Sequence, residues 1–275
     1  MAKASLLLLL CLAAAGALCD AAYTHLHDTQ PGDAEYTGIV VLTSYDEHVQ
    51  EMADLTLANK DAYCAHHGYP FVVKTSWYED IMDGQPSGSH RNISFHQALV
   101  EMQGLMKCGF LKQMFRRFPK CSWVFITETD MVITNPNVKL ERFTESNPPP
   151  KHFIASADLN APNAGSFFLR NSPLGHAFLD TMCAATPIYR LHGWYENQFF
   201  IDQWRTLHFK ETTMTVLPQR SFNSYDWPHL DILGTEGLWQ PGDFMVHFAG
   251  MGNKLEMVHK YLAKVQPFDP PANAT

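Results

Sequence analysis

Basic residues are scarce and scattered along this chain: 20 Lys and Arg stand against 28 Asp and Glu in 275 residues, a formal net charge of −8. The densest basic group, Lys112, Arg116, Arg117 and Lys120, has the spacing of a solvated helix face. Phosphate-backbone recognition needs a basic surface, so no nucleic-acid partner is expected. Cys-x-x-Cys pairs are absent, which argues against structural zinc, and so is the His-Glu-x-x-His spacing of many metallohydrolases. No apolar run reaches the ~20 residues that a bilayer span needs. Internal repeats and low-complexity tracts are also missing. The composition that remains, 46% hydrophobic and 17% charged, is that of a globular domain large enough to bury a core.

The N-terminus carries a signal. Lys3 supplies a positive n-region, Leu6 to Leu18 form an apolar run, and Ala17-Leu18-Cys19 provides small residues before Asp20. Residues 1–19 therefore read as a secretory signal peptide or a short Golgi-type signal anchor, the latter the one expected link to a membrane. Residues 20–36 are polar and aperiodic, a short stem or disordered lead-in. Entry into an oxidising compartment leaves Cys64, Cys108, Cys121 and Cys183 beyond the leader, enough for up to two disulfides. Asn92-Ile93-Ser94 is a glycosylation sequon in a loop-like stretch, and Asn273-Ala274-Thr275 is another at the C-terminus.

Between these ends the pattern alternates. Gly38 to Leu42 is a continuous β-branched and aliphatic run, as in a strand buried on both faces. Val49, Met52, Leu55, Ala58 and Ala62 then mark one helix face, closing near Gly68, and Tyr69 to Val73 is the next strand. Strand, helix, strand in this space is a βαβ unit with parallel strands. Further helices are expected over Phe95 to Phe118, interrupted at Gly104 or Gly109, and over Pro173 to Ala184, Glu196 to Leu207 and Leu255 to Val265. Further strands are expected over Ser122 to Thr127, Phe153 to Ala157, Ser166 to Leu169 and Phe244 to Phe248. The whole reads as one α/β domain, residues 37–266, with a mostly parallel central sheet and a tail over 267–275.

Three segments carry candidate chemistry. Trp123 to Thr127 runs as a strand into Glu128-Thr129-Asp130, where residues i and i+2 point the same way and two carboxylates can converge. Ligands bind at the C-terminal ends of strands in open α/β sheets, and two hard oxygens there suit Mn²⁺ or Mg²⁺, the ions that bridge diphosphates. Such a triplet is common, and taken alone the same acids more often just cap the next turn. In Phe244-Met245-Val246-His247-Phe248-Ala249-Gly250, His247 reads as a satisfied core histidine or as a third ligand. The Gly250 to Lys254 run behind it favours the second, because glycine backbone and a lysine suit an anion. Asp158 to Arg170 places Asp158, Asn163 and Gly165 just before a strand, to bond sugar hydroxyls or merely to form an Asx-rich turn.

These residues together resemble glycosyltransferase family 34, the galactosyl-, mannosyl- and xylosyltransferase group. The matching stretches are Leu55 to Cys64 with His67-Gly68-Tyr69, Trp123 to Asn135, Asn163 to Phe167 with Arg170-Asn171, Pro218-Gln219-Arg220 with Asn223-Ser224-Tyr225, and Gly242-Asp243-Phe244 with His247 to Gly250. They follow the family's order. The resemblance implies a GT-A, Rossmann-like fold, a nucleotide-diphosphate sugar donor, a glycan or glycoprotein acceptor, Mn²⁺ and retention of anomeric configuration. It implies a metal set of Glu128, Asp130 and His247, with Glu128 standing where the family usually carries Asp. It also implies nucleotide-sugar contacts at Thr43, Tyr45, Thr129, Gly250 and Lys254. An acidic-Gln pair near the reacting sugar falls in Trp194 to Gln198: Glu196 is the acid, and the amide is Asn197 or Gln198. Asp158, Asn163, Gly165, Glu196 and Gln198 are thus the candidate catalytic group. The alternatives are a glycan-binding protein that has lost turnover and a lumenal metallohydrolase.

Overall fold

The computed structural model describes residues 32–76, 107–145, 151–189, 192–206, 211–227 and 236–270. The leader, the loop expected over 81–91, the first part of the helix expected from Phe95, and both sequons lie outside them. In chain order the strands are β1 (Ile39–Asp46), β2 (Phe71–Ser76), β3 (Trp123–Thr127), β4 (Met131–Ile133), β5 (Phe153–Asp158), β6 (Ala161–Arg170), β7 (Met214–Leu217), β8 (Ser224–Tyr225) and β9 (Met245–His247). The helices are α1 (Gln50–His67), α2 (107–117), α3 (Glu141–Thr144), α4 (Pro173–Tyr189), α5 (Tyr195–Arg205) and α6 (Lys254–Leu262).

Six strands form the main sheet in the order β2-β1-β3-β6-β5-β7. β1 pairs in parallel with β2 and β3, and β5 with β7, while β6 runs antiparallel between β3 and β5. The mostly parallel α/β sheet expected from the sequence is therefore present, with one reversed strand. Period-two alternation distributes each strand between two cores. Val40, Leu42, Val124, Ile126, Phe167 and Leu169 face a layer with α2 and α4, and Ile39, Val41, Trp123, Phe125, Ile154 and Phe168 face the other side. Both faces are apolar because both are covered. α1 ends where expected: Gly68 takes φ 74° and its N–H bonds the Cys64 carbonyl, a left-handed cap that suits glycine.

A small second sheet, β4-β9-β8, sits at the C-terminal end of β3. Its strands β4 and β8, like β7 of the main sheet, escape the sequence pattern, being two to four residues long. Helix α1 fastens its free edge. Asn59 donates to the Ile133 carbonyl (3.0 Å) and accepts from the Ile133 N–H (2.8 Å), and Lys60 Nζ donates to the Met131 carbonyl (3.0 Å). One expectation fails. Cys64, Cys108, Cys121 and Cys183 are free thiols. Cys64 packs on one face of the main sheet and Cys108 and Cys121 on the other, with Cys183 against that second layer, so the sheet separates Cys64 from the rest. Burial pushes the Cys64 thiol up to about 12 and Cys121 up to about 11.

Candidate active site at the end of the third strand

β3 delivers Glu128 and Asp130 to the rim of the main sheet, and β4 follows at once. Because Met131 pairs with His247 across β4 and β9, the histidine lies beside Asp130. His247 Nε2 is 3.4 Å from Asp130 Oδ1 and 3.7 Å from Glu128 Oε2. Its other nitrogen, Nδ1, is 2.7 Å from Asn223 Oδ1, and the Asn223 amide nitrogen donates to the Ala157 carbonyl at 3.1 Å. That second bond fixes which end of the amide faces the ring. Nδ1 therefore carries a proton and donates, and in the neutral ring the Nε2 lone pair points at the two acids.

Asp130 Oδ1 and His247 Nε2 are both buried with no hydrogen-bond partner. Buried polar atoms left unpaired are costly, and two of them facing each other call for a shared ligand. One atom from each of Glu128, Asp130 and His247 falls within 4.8 Å of the others. Two carboxylate oxygens and an imidazole nitrogen are a donor set that Mn²⁺ accepts, so the residues fit a divalent cation.

Charge is arranged around this trio. Lys254 Nζ donates to Asp130 Oδ2 at 2.7 Å. Burial works against ionisation of Asp130, but positive charge on the His247 ring, where it is protonated, and then on Lys254 outweighs it and holds the carboxyl well below the usual carboxylate range. Burial likewise pulls Lys254 down, yet Asp130 and then Glu128 leave it above its ordinary value. Lys107, from the start of the described part of α2, reaches Glu128 Oε1 and Glu196 Oε1, each at 2.5 Å, and the Ala164 carbonyl at 3.2 Å.

Glu128, Asp130 and His247 line an open cavity of about 370 Å³ together with Asp158, Asn163, Gly165, Glu196, Gly250 and Lys254. Nine of the fourteen sequence-predicted site residues thus come together. Asp158 Oδ2 accepts from Asn163 Nδ2 (2.9 Å), and the Asn163 carbonyl oxygen accepts from the Gly165 N–H (2.8 Å). A Cβ on Gly165 would lie 2.5 Å from His247 Cε1 and 3.2 Å from Glu128 Oε2, so no side chain fits there without displacing the trio. These residues lie within or beside β6, which starts at Ala161, earlier than the Ser166 expected.

Four of the others lie elsewhere. Thr43 and Tyr45 sit on β1 opposite Val73 and Thr75, the Thr43 hydroxyl buried and unpartnered, and Thr129 is buried beneath the turn. Gln198 turns from the cavity and donates to Asp202 Oδ1 at 2.7 Å. Its neighbour Asn197 lines the cavity instead, accepting the Ala164 N–H at 2.7 Å. Asn92 is outside the described residues. Sequence reasoning missed Lys107, and it named Asn223 and Tyr225 only within a matching stretch, with no role in the site. Tyr225 is edge-on to His247 and stacked on Trp227, which also lines the cavity.

Residues 35–256 match the galactosyl transferase GMA12/MNN10 family. The chain belongs to this family. Two relatives from Schizosaccharomyces pombe illustrate the distance. An uncharacterized alpha-1,2-galactosyltransferase is 26% identical over 70% of this chain and 55% of its own length, and an alpha-1,2-galactosyltransferase is 23% identical over 78% and 60%. The chain spans a little over half the length of these relatives. Among solved structures, a glycosyltransferase involved in glycosylation of the major capsid of PBCV-1 superposes with a TM-score of 0.56 at 15% identity, covering 81% of this chain and 98% of that one. The galactosyltransferase LgtC, in complex with donor and acceptor sugar analogs, gives 0.51 at 11% identity, covering 85% and 98%. The fold is GT-A, as the resemblance implied.

Proposed function

We propose that this chain transfers a hexose or pentose from a nucleotide-diphosphate sugar to a glycan or glycoprotein acceptor, with a divalent cation at Glu128, Asp130 and His247 and with retention of configuration. The observation that carries the reading is the pair of buried, unpartnered ligand atoms, Asp130 Oδ1 and His247 Nε2, in a cavity that also presents Lys254. The cation, Mn²⁺ or Mg²⁺, would neutralise charge building on the departing nucleoside diphosphate. Lys254 adds positive charge on the same side. Asn223 keeps His247 in its ligand tautomer. Asp158, Asn163 and the Gly165 backbone orient a sugar, and Glu196 and Asn197 close the wall opposite. Thr43, Tyr45 and Thr129, outside the cavity, have nucleotide-contact roles on the resemblance alone, and Gln198 supports the α5 wall through Asp202.

Retention favours attack from the leaving group's own face. Both carboxylates outside the metal trio are engaged: Asp158 by the Asn160 N–H, Asn163 and the Tyr225 hydroxyl, Glu196 by Lys107. These contacts hold Asp158 through both oxygens and Glu196 through one, which disfavours a nucleophilic role for either. The names of the relatives make a galactosyl donor the first to try. The leader-like N-terminal sequence and the family support a location in the lumen of the secretory pathway, ER or Golgi, or outside the cell after cleavage.

The test is a screen of nucleotide sugars, UDP-galactose first, for Mn²⁺-dependent hydrolysis and transfer. EDTA abolishes the activity and Mn²⁺ restores it. Asp130→Asn lowers turnover by about a hundredfold or more, as expected for lost electrostatic stabilisation of the leaving group. Full turnover of Asp130→Asn in Mn²⁺ after EDTA treatment would overturn the metal assignment.

A further inference from the structure

Large apolar side chains left in the open gather at one mouth. Trp194, 48% exposed, and Leu159, 45% exposed, both line the cavity that holds the acid-histidine trio. A single exposed apolar residue needs no explanation, but two on the rim of one cavity are the makings of a binding surface. Neither is loosely held. Leu159 sits in the turn between β5 and β6, where Asp158 Oδ1 accepts the Asn160 N–H at 2.6 Å and Oδ2 accepts from Asn163. Trp194 precedes α5, which the bond from the Ala164 N–H to Asn197 docks on β6, the strand that follows this turn. The Trp194 N–H donates to His192 Nδ1 at 3.2 Å, and its carbonyl accepts the Asn197 N–H at 2.9 Å. The next residue, Tyr195, has φ 46°, alone among the described non-glycine residues in taking a positive φ. Such strain in a bulky residue persists where its surroundings fix it, and it clusters where placement serves a site.

Resting on the transferase reading of this cavity, we infer that Trp194 and Leu159 form the platform for the acceptor, and that the end they take is a neutral pyranose rather than a peptide hydroxyl or an acidic sugar. A pyranose presents C–H groups on one face and hydroxyls around its edge. The C–H face suits the electron-rich face of an indole with an aliphatic side chain beside it. The hydroxyl edge then meets Asp158 and Glu196, whose carboxylates keep lone pairs beyond the bonds they already accept. The same two acids repel a uronate or a sulfated ring. A peptide would bring amide groups that an indole and a leucine leave unpaired. Because the turn and the start of α5 are both tied to β6, the platform is formed before the sugar arrives, which lowers the cost of binding.

The experiment uses the full chain with Mn²⁺ and UDP and reads saturation-transfer NMR on methyl galactoside, methyl mannoside, methyl glucuronoside and a serine-threonine peptide. At least one neutral pyranoside is expected to take up saturation on the protons of one ring face, and the glucuronoside and the peptide none. Trp194→Ala is expected to weaken the neutral sugar by about tenfold or more, as for an aromatic anchor in an interface. Trp194→Phe restores most of the loss. Ile188→Ala, which truncates an exposed apolar residue of α4 that does not line the cavity, changes nothing. In turnover with the best donor from the nucleotide-sugar screen, the Trp194→Ala loss falls on acceptor KM, with kcat and donor KM moved by less than about twofold. The inference is overturned by a wild type that saturates no neutral pyranoside, by a Trp194→Ala protein that binds them as wild type does, by a glucuronoside or peptide that binds equally well, or by a loss that falls on donor KM. Sugar binding that depends on Trp194, with no turnover of any nucleotide sugar, upholds the platform and sinks the transferase reading.

Discussion

Two of the lysines buried among the described residues, Lys60 and Lys107, meet opposite electrostatic fates. Lys60, in α1, is completely buried and its ammonium donates to one backbone carbonyl, that of Met131. Burial pulls it from 10.5 to about 7, and the more distant Asp130 recovers only part of the loss. Lys107, in α2, is 4% exposed and touches two carboxylates and a carbonyl. Burial pulls on it too, but Glu128 and Glu196 outweigh that and hold it above its ordinary value. Depth is nearly the same in the two cases, so partners decide the charge. Lys60 supports backbone behind the site, and Lys107 is wired into the site's own acids.

The comparison is sharpened most by Lys107→Met. It strips the counter-charge from Glu128 and Glu196 and frees both side chains, and loss of a partner that orients a metal ligand typically costs about 10- to 100-fold in activity. The measurement is kcat at saturating Mn²⁺ on the best donor from the nucleotide-sugar screen. Lys60→Met in the same assay is expected to change kcat by less than about threefold, since Asn59 still holds β4. Equal losses in both variants would erase the distinction between a supporting and a site lysine.

How much of this was readable in the sequence follows from how local each signal is. The β1 run, the α1 face closing at Gly68, and the strand ending in Glu128-Thr129-Asp130 are all contiguous, and the structure places them as read. His247, Gly250 and Lys254 also lie within a few residues of one another. Lys107 and Asn223 have no such neighbours. One comes from a different helix and the other precedes a strand of two residues, too short to show any alternation. The choice between Asn197 and Gln198 was undecidable for another reason. Successive residues on a helix diverge by about a quarter turn, so a one-residue offset swaps a cavity contact for one with Asp202. The expected disulfides do not form because compartment fixes only whether thiols can oxidise, whereas pairing needs two of them adjacent: the sheet keeps Cys64 from the other three, and those three share a layer as free thiols.

A second test probes the support that Lys60 shares. Asn59 satisfies both the N–H and the carbonyl of Ile133, on the edge of β4 away from β9. Asn59→Ala leaves these two groups without their partner and is expected to cost ~1–3 kcal/mol of stability. Urea unfolding measures it. A loss near zero would show that β4 is held by its pairing with β9 alone, and the supporting role assigned to this stretch of α1 would fall.

The smallest effect is the most specific to Lys60. Its folded pKa, about 7, lies below its ordinary 10.5, so between those values the unfolded chain carries the proton and the folded chain does not. Where the unfolded state binds more protons, stability rises with pH. Lys60 therefore contributes a positive slope between about 7 and 10.5, while below 7 both states are charged and the full cost of the buried ammonium stands. Lys60→Met removes that slope. Unfolding free energies of wild type and variant at about pH 6 and about pH 9 are expected to show the variant relatively more stable at the lower pH, with the gap shifting in favour of wild type at the higher. A difference that does not change with pH would mean that Lys60 keeps its proton, as Lys107 does, and that its single carbonyl together with the field of Asp130 is enough to hold a buried charge.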